Sequence, residues 1–273
     1  MSDTRVSVFT VDAFADRAFR GNPAAVVPLR QAASRAWMQN VAAEMNLSET
    51  AFLEPMAGSA EEPRFGLRWF TPKNEVELCG HATLASAHVL WSEGLASPSA
   101  PVVFETLSGP LRCRRLEDGW IEMSFPPEPP LPVEQPHEAL LAALRVEPRF
   151  IGRSRFDYMI EVPTEDEVRG VTPDLRLLRT VPVRGVCVTA PSADPRYDFV
   201  SRFFAPAAGI DEDPVTGSAH CTLGPFWGRR LGKSALTGRQ ISQRGGIVRC
   251  RLAEGRVFLS GRAVTVLRGE LLA

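Results

Sequence analysis

The chain repeats itself, at an offset of about 136 in its 273 residues. Arg68-Trp69-Phe70-Thr71-Pro72 reads like Arg202-Phe203-Phe204-Ala205-Pro206. After each comes a short polar loop, then Gly80-His81-Ala82 or Gly217-Ser218-Ala219, then a small-residue run ending at Trp91 or Trp227. Further along, Ser108-Gly109-Pro110-Leu111-Arg112-Cys113-Arg114 resembles Arg244-Gly245-Gly246-Ile247-Val248-Arg249-Cys250-Arg251, and Gly119 and Ser124 find counterparts in Gly255 and Ser260. Four matches in one order at one offset are hard to obtain by chance. Solenoid repeats run to roughly 20–50 residues, so a period this long marks a duplicated domain.

Between the halves lies Phe125-Pro126-Pro127-Glu128-Pro129-Pro130-Leu131-Pro132. Proline removes the donor that a helix or an interior strand needs, so this stretch reads as a semi-rigid linker. The expected domains are 1–126 and 127–262, with the final strand, 263–273, returning to the first. Each half has the same plan. In the first, Val6 to Phe14 and Ala24 to Leu29 read as strands. Ser34 caps a helix in which Trp37, Val41 and Met45 fall four apart. Two strands and a small-residue helix from His81 to Ser92 follow. Three more strands come next, with turns at Ser108-Gly109 and Asp118-Gly119. A helix rich in Ala and Leu with little charge is buried, so the expected class is α+β: two pseudo-symmetric domains, each a strand barrel around a central helix.

The formal net charge of −1 gives no reason to expect nucleic acid or an anionic membrane as partner. Met1-Ser2-Asp3-Thr4-Arg5 has no apolar signal core, and no run approaches the ~20 apolar residues of a membrane span. Five scattered cysteines, an odd number, fit free thiols in a reducing cytoplasm. No C-x-x-C spacing appears, and the four histidines do not pair with cysteines at ligand spacing, so no metal is expected.

The loop-to-helix junctions at Gly80 and Gly217 are the most informative sites. A helix start exposes unpaired N–H groups and the positive end of the dipole, which suits a substrate carboxylate. The duplication makes it natural for the two junctions to face one cleft. By residue chemistry alone, Gly80 and Gly217 are equally readable as tight turns into buried helices. Glu49, near apolar Leu47 and Phe52, is a carboxylate whose pKa such surroundings would raise. Taken alone it reads as a solvated loop glutamate. Asp213 either binds a polar substrate group or supports its turn, and His81 and Ser218 are acid/base, hydrogen-bonding or capping residues. His88 and His220 read as core histidines. Cys79, before Gly80, is open to thiolate chemistry at a helix start, but its counterpart is Thr216, so two opposed thiols are unavailable.

Five blocks together resemble the PhzF-like phenazine-biosynthesis proteins. They are Val11-Asp12-Ala13-Phe14, Gly21-Asn22-Pro23-Ala24-Ala25-Val26-Val27, Asn46-Leu47-Ser48-Glu49-Thr50-Ala51-Phe52, Glu77-Leu78-Cys79-Gly80-His81-Ala82-Thr83 and Glu212-Asp213-Pro214-Val215-Thr216-Gly217-Ser218-Ala219. The resemblance covers essentially the whole chain. It implies the diaminopimelate-epimerase fold and a cofactor-free cytoplasmic isomerase, by family habit a homodimer. The implied substrate is a small cyclic amino or hydroxy carboxylic acid of the trans-2,3-dihydro-3-hydroxyanthranilate type. It implies Glu49 as the single proton shuttle, with Ser48, Gly80, His81, Asp213, Gly217 and Ser218 holding the substrate. Two alternatives stand beside it: a racemase or hydroxyproline-type dehydratase using Cys79 as base, and a non-catalytic binding protein of the same fold.

Overall fold

The computed structural model describes residues 5–272; Met1-Ser2-Asp3-Thr4 and Ala273 lie outside the described residues. Two compact units emerge. Phe125–Leu259 forms one, and the chain on either side of that segment forms the other.

The first unit runs β1 (Val6–Ala13), β2 (Asn22–Pro28), α1 (Arg35–Met45), β3 (Glu49–Pro55), β4 (Arg64–Phe70), β5 (Glu75–Val76), α2 (Gly80–Ser92), β6 (Val102–Glu105), β7 (Leu111–Arg115) and β8 (Ile121–Phe125). The second runs β9 (Leu131–Pro132), α3 (Glu138–Leu144), β10 (Phe150–Arg153), β11 (Asp157–Glu161), α4 (Glu165–Gly170), α5 (Leu175–Leu178), β12 (Gly185–Pro191), β13 (Phe199–Ala205), β14 (Ile210–Asp213), α6 (Gly217–Leu231), β15 (Ala235–Gln240), β16 (Gly246–Ala253) and β17 (Arg256–Gly261).

The strand pairings repeat as the sequence does. In the first unit β1–β2, β3–β4, β4–β5 and β6–β7 are antiparallel, while β2–β3 and β4–β6 are parallel. In the second, β10–β11, β12–β13, β13–β14 and β15–β16 are antiparallel, while β11–β12 and β13–β15 are parallel. The C-terminal strand, Ala263–Leu271, pairs antiparallel with β1.

Each unit encloses one helix. In α2, GHATLASAHVLWS, nearly every side chain from His81 to Trp91 is buried. Small residues on all faces let strands approach from all round, and the helix packs on β1, β2, β3 and the C-terminal strand. In α6 the stretch from Ala219 to Gly224 is buried, against β15 and β16. This helix also contains Pro225, which cannot donate to the carbonyl four residues earlier. That carbonyl, of Cys221, instead accepts the backbone N–H of linker residue Glu128 at 3.0 Å. The proline in the helix and the non-helical linker thus satisfy each other.

One element was not expected. The linker is followed by α3, a short run of strong helix formers with Leu140, Ala143 and Leu144 buried. It has no counterpart in the first half, so a reading by repeat passes over it.

Candidate active site

The same brace holds the loop before each buried helix. Arg68 donates Nε and Nη2 to Glu75 at 2.7 and 2.9 Å, and Arg202 donates Nε and Nη2 to Glu212 at 2.7 and 2.9 Å. Each guanidinium lies over an aromatic ring on its own strand, Phe70 at 5.2 Å and Phe204 at 4.9 Å. A planar fork matches a carboxylate through two parallel bonds, and so fixes a loop's angle as well as its position. A serine further on ties the loop down again: Ser108 Oγ donates to the Glu77 carbonyl at 2.7 Å, Ser242 Oγ to the Pro214 carbonyl at 2.6 Å. Sequence reading matched the arginines but missed their glutamates, which the loops place at slightly different offsets.

Glu49 owes its place to several local devices. Ser34 caps α1, accepting the Trp37 N–H at 3.2 Å, and Asn46 ends that helix in the left-handed region at φ 50°. After two turn residues, Leu47 and half-buried Ser48, Glu49 opens β3, opposite Ala24 of β2 in parallel register. β2 is itself set by the turn from β1. There, buried Asp12 accepts the Phe19 N–H at 2.6 Å, and Gly21 adopts φ +66°. A Cβ on Gly21 would lie 2.1 Å from the Ala13 carbonyl oxygen, so only glycine closes this turn. The Val-Asp-Ala-Phe and Gly-Asn-Pro-Ala blocks therefore position a strand, which positions the glutamate.

Glu49, Cys79 and His81 come together at the start of α2. Glu49 Oε2 lies 3.2 Å from His81 Nε2, and Cys79 Sγ lies 3.5 Å from His81 Nδ1. One donor atom from each residue can be chosen so that all three lie within 4.8 Å of one another. Nε2 is close to the carboxylate but not aligned with it as a hydrogen bond. His81 thus stands between the two, bonded to the Cys79 sulfur on one ring nitrogen and facing the Glu49 carboxylate with the other. His81 is 7% exposed, and burial pushes its pKa down to about 4, so the imidazole is neutral near pH 7. Gly80 is the first helical residue, and the side chain of the N-cap residue, Cys79, makes no bond back into the helix. The first-turn N–H groups of α2 therefore receive no cap from the N-cap side chain itself.

The start of α6 is built differently. Gly217 is again the first helical residue, and half-buried Ser218 stands where His81 does. The N-cap, Thr216, likewise makes no bond into its helix. Its hydroxyl donates to Asp213 Oδ2 at 2.5 Å. Fully buried Gln240 braces the turn: Oε1 accepts the Thr216 N–H at 2.9 Å, and Nε2 donates to the Asp213 carbonyl at 2.7 Å and to Thr216 Oγ1 at 3.3 Å. Sequence reading missed Gln240, which lies on β15, far from the motif along the chain. His220 donates Nδ1–H to the Thr216 carbonyl at 2.8 Å, and burial pushes its pKa down to about 4. The expectation of satisfied core histidines holds for His88, 3.0 Å from Thr265 Oγ1, and only by half for His220, whose buried Nε2 has no partner.

All five cysteines are free and buried. Among the described residues, no helix is long and apolar enough to cross a membrane.

Comparison with known proteins places this geometry in context. The family described as phenazine biosynthesis-like protein matches residues 11–269. The chain is 49% identical to an uncharacterised isomerase of Halalkalibacterium halodurans, over 97% of this chain and 98% of that one. The crystal structure of a PhzF-family phenazine biosynthesis protein from Enterococcus faecalis superposes with a TM-score of 0.90 at 39% identity, covering 98% of this chain and 99% of the other. A predicted epimerase from Pseudomonas aeruginosa shares the fold, with a TM-score of 0.72 at 22% identity over 98% and 99% of the two chains.

Proposed function

Because the chain belongs to the PhzF-like phenazine-biosynthesis family, we propose that it is an isomerase needing no cofactor, which moves a proton and a double bond within a small cyclic amino or hydroxy carboxylic acid. Glu49 is the acid and the base. As carboxylate it removes a proton from one carbon, and the electrons of that C–H bond shift the double bond. As carboxylic acid it then returns a proton to another carbon on the same face, so atoms and charge balance without an external redox partner. His81, neutral, orients the carboxyl and contacts the substrate. As the family resemblance implies, Ser48, Gly80, His81, Asp213, Gly217 and Ser218 bind the substrate, and a helix-start N–H group suits its carboxylate.

The observation that carries this reading is the 3.2 Å approach of Glu49 Oε2 to His81 Nε2 at the start of α2. The carboxylate otherwise read from sequence as a solvated loop residue is 14% exposed and faces a second polar group. The racemase form of the thiol-based alternative needs a second base, and the residue at the matching position, Thr216, donates its hydroxyl to Asp213; the dehydratase form, with Cys79 alone as base, is left to experiment. Both are tested by incubating cyclic amino and hydroxy acids with the protein in D2O. Enzyme-dependent deuterium uptake that is lost in Glu49→Gln and kept in Cys79→Ser is expected. The opposite pattern would put the racemase-type mechanism in its place, and no uptake with any acid would leave the binding-protein reading standing.

A further inference from the structure

We propose that Glu49, Cys79 and His81 also form a binding site for a thiophilic divalent cation of the zinc class, and that the bound ion blocks the acid–base site. Only this second, inhibitory consequence rests on the proposed role of Glu49; binding itself does not.

The argument begins with donor chemistry. Thiolate, imidazole nitrogen and carboxylate oxygen are the three protein ligand types that zinc takes, at about 2.3, 2.0–2.1 and 2.0–2.2 Å. Two such ligands around one tetrahedral ion lie roughly 3.3–3.6 Å apart, as those bond lengths require. Cys79 Sγ and His81 Nδ1 already stand 3.5 Å apart, and one oxygen of Glu49 completes a set within 4.8 Å. Glu49 Oε2 stands 3.2 Å from the other ring nitrogen, Nε2, so an ion held at Nδ1 requires the carboxylate to swing round to that side of the ring; the fourth position is left for water or a substrate oxygen. Sequence spacing gave no hint of this, because Glu49 comes from β3 and the other two ligands from the start of α2.

Electrostatics decides whether a cation belongs at a helix start. The dipole there acts as roughly +0.5 charge and opposes it. Thiolate and carboxylate together supply two negative charges against the ion's two positive ones. The near-neutral sum also suits a pocket in which Cys79 and His81 are each 7% exposed. As the metal–sulfur bond forms, the thiol proton leaves to solvent, so no other reactant is needed. Among the described residues, Cys79 is the thiol whose sulfur lies within 4.8 Å of both an imidazole nitrogen and a carboxylate oxygen.

The bound ion would take the lone pairs with which Glu49 accepts a proton, so it acts as an inhibitor. The test uses cobalt(II) alone as probe on the full chain, since its spectrum reports its ligands. One equivalent should give an intense near-ultraviolet thiolate-to-cobalt band with visible bands of tetrahedral strength, and zinc should bleach both. Cys79→Ser should abolish the near-ultraviolet band and weaken binding at least tenfold, and Glu49→Gln should weaken binding while keeping the band. Circular dichroism on each variant checks that the fold is intact. No cobalt–thiolate band in the folded wild type, or a band undiminished in Cys79→Ser, would overturn the proposal. If no band forms while Glu49→Gln still loses deuterium exchange, the metal site falls and the isomerase reading stands.

Discussion

The starts of α2 and α6 are the same piece of architecture with opposite chemistry. Both follow a strand whose arginine forks onto a glutamate of the next short strand, both open on glycine, and neither is capped by its own N-cap side chain. At α2 the side chains are a thiol, an imidazole and a carboxylate, with the imidazole standing between the other two. At α6 they are two hydroxyls and a carboxylate, cross-braced through Gln240. On the proposed reading, one copy carries the group that moves the proton, Glu49, while the other carries Thr216 and Asp213, bonded to each other and braced by Gln240. The duplication supplied two similar frames, and on that reading the residues placed on them divide the labour between proton chemistry and positioning.

The sharpest way to break that comparison is to remove the proton from the first start and the charge from the second. Glu49→Gln keeps size and hydrogen-bonding capacity but cannot exchange a proton. General acid–base catalysis is typically worth about 10²–10⁴-fold, and one carboxyl serving both steps puts the expected loss at or beyond the upper end. Asp213→Asn should lose less, with the loss in KM more than in kcat, as befits a group that only holds. Deuterium-exchange kinetics on both variants decide. Equal losses in kcat would mean that the two starts are not divided as argued.

Next in size is the brace. Gln240 is fully buried and makes three hydrogen bonds, so Gln240→Leu strands the Thr216 N–H, the Asp213 carbonyl and the Thr216 hydroxyl. A buried polar group left unsatisfied costs about 1–3 kcal/mol. Because Thr216 keeps its bond to Asp213, a destabilisation of roughly 3 kcal/mol is expected in urea unfolding. A change below about 1 kcal/mol would show that the second start is no more rigidly built than the first.

How much of this the sequence disclosed follows from how far each feature reaches along the chain. The duplication, the order of elements, the Ser34 cap and the buried small-residue helices rest on local pattern, and were legible. Gly80 and Gly217 were legible as helix starts because each motif lies within a few residues. Glu49 was not legible from its own chemistry. What distinguishes it from other loop glutamates is a neighbour, His81, brought up by the β2–β3 register and by the entry into α2. Only the resemblance to a family selected it. Gln240 and the glutamates of the two forks act at a distance through folded loops, and composition and periodicity carry no trace of such partners. The gathering of Glu49 with Cys79 and His81 belongs to this class as well.

A smaller effect separates pH responses. The folded-state pKa of His220 is about 4, below its ordinary 6.5, because burial penalises the imidazolium. Unfolding therefore takes up a proton below pH 6.5. The stability associated with the neutral ring is complete above that pH and is lost as the pH falls from 6.5 toward 4. One such proton gives a slope of about 1.4 kcal/mol per pH unit. Asn can present its amide N–H near the position of Nδ1 and keep the bond to the Thr216 carbonyl. His220→Asn should then flatten the stability-against-pH curve between pH 6 and about 4.5 by one proton's slope. An unchanged slope would show that the ring is already protonated in the fold.

The smallest expected effect is also the most discriminating. Cys79 and Thr216 occupy the same N-cap position, and in a symmetric two-base enzyme both would carry protons. Here the matching residue, Thr216, carries a hydroxyl that donates to Asp213 and is no second thiol. Cys79→Ser shortens the side chain's reach toward His81 Nδ1 and lowers its acidity, but leaves the Glu49–His81 pair intact. Exchange catalysed by Glu49 should therefore fall by less than about tenfold, equivalent to roughly 1.4 kcal/mol on the barrier. The rate should also become insensitive to thiol alkylating reagents, whereas the wild type would be slowed by the bulk they add beside His81. A loss in Cys79→Ser as deep as that in Glu49→Gln would make the thiol a working base, and the division between the two helix starts would have to be redrawn around sulfur.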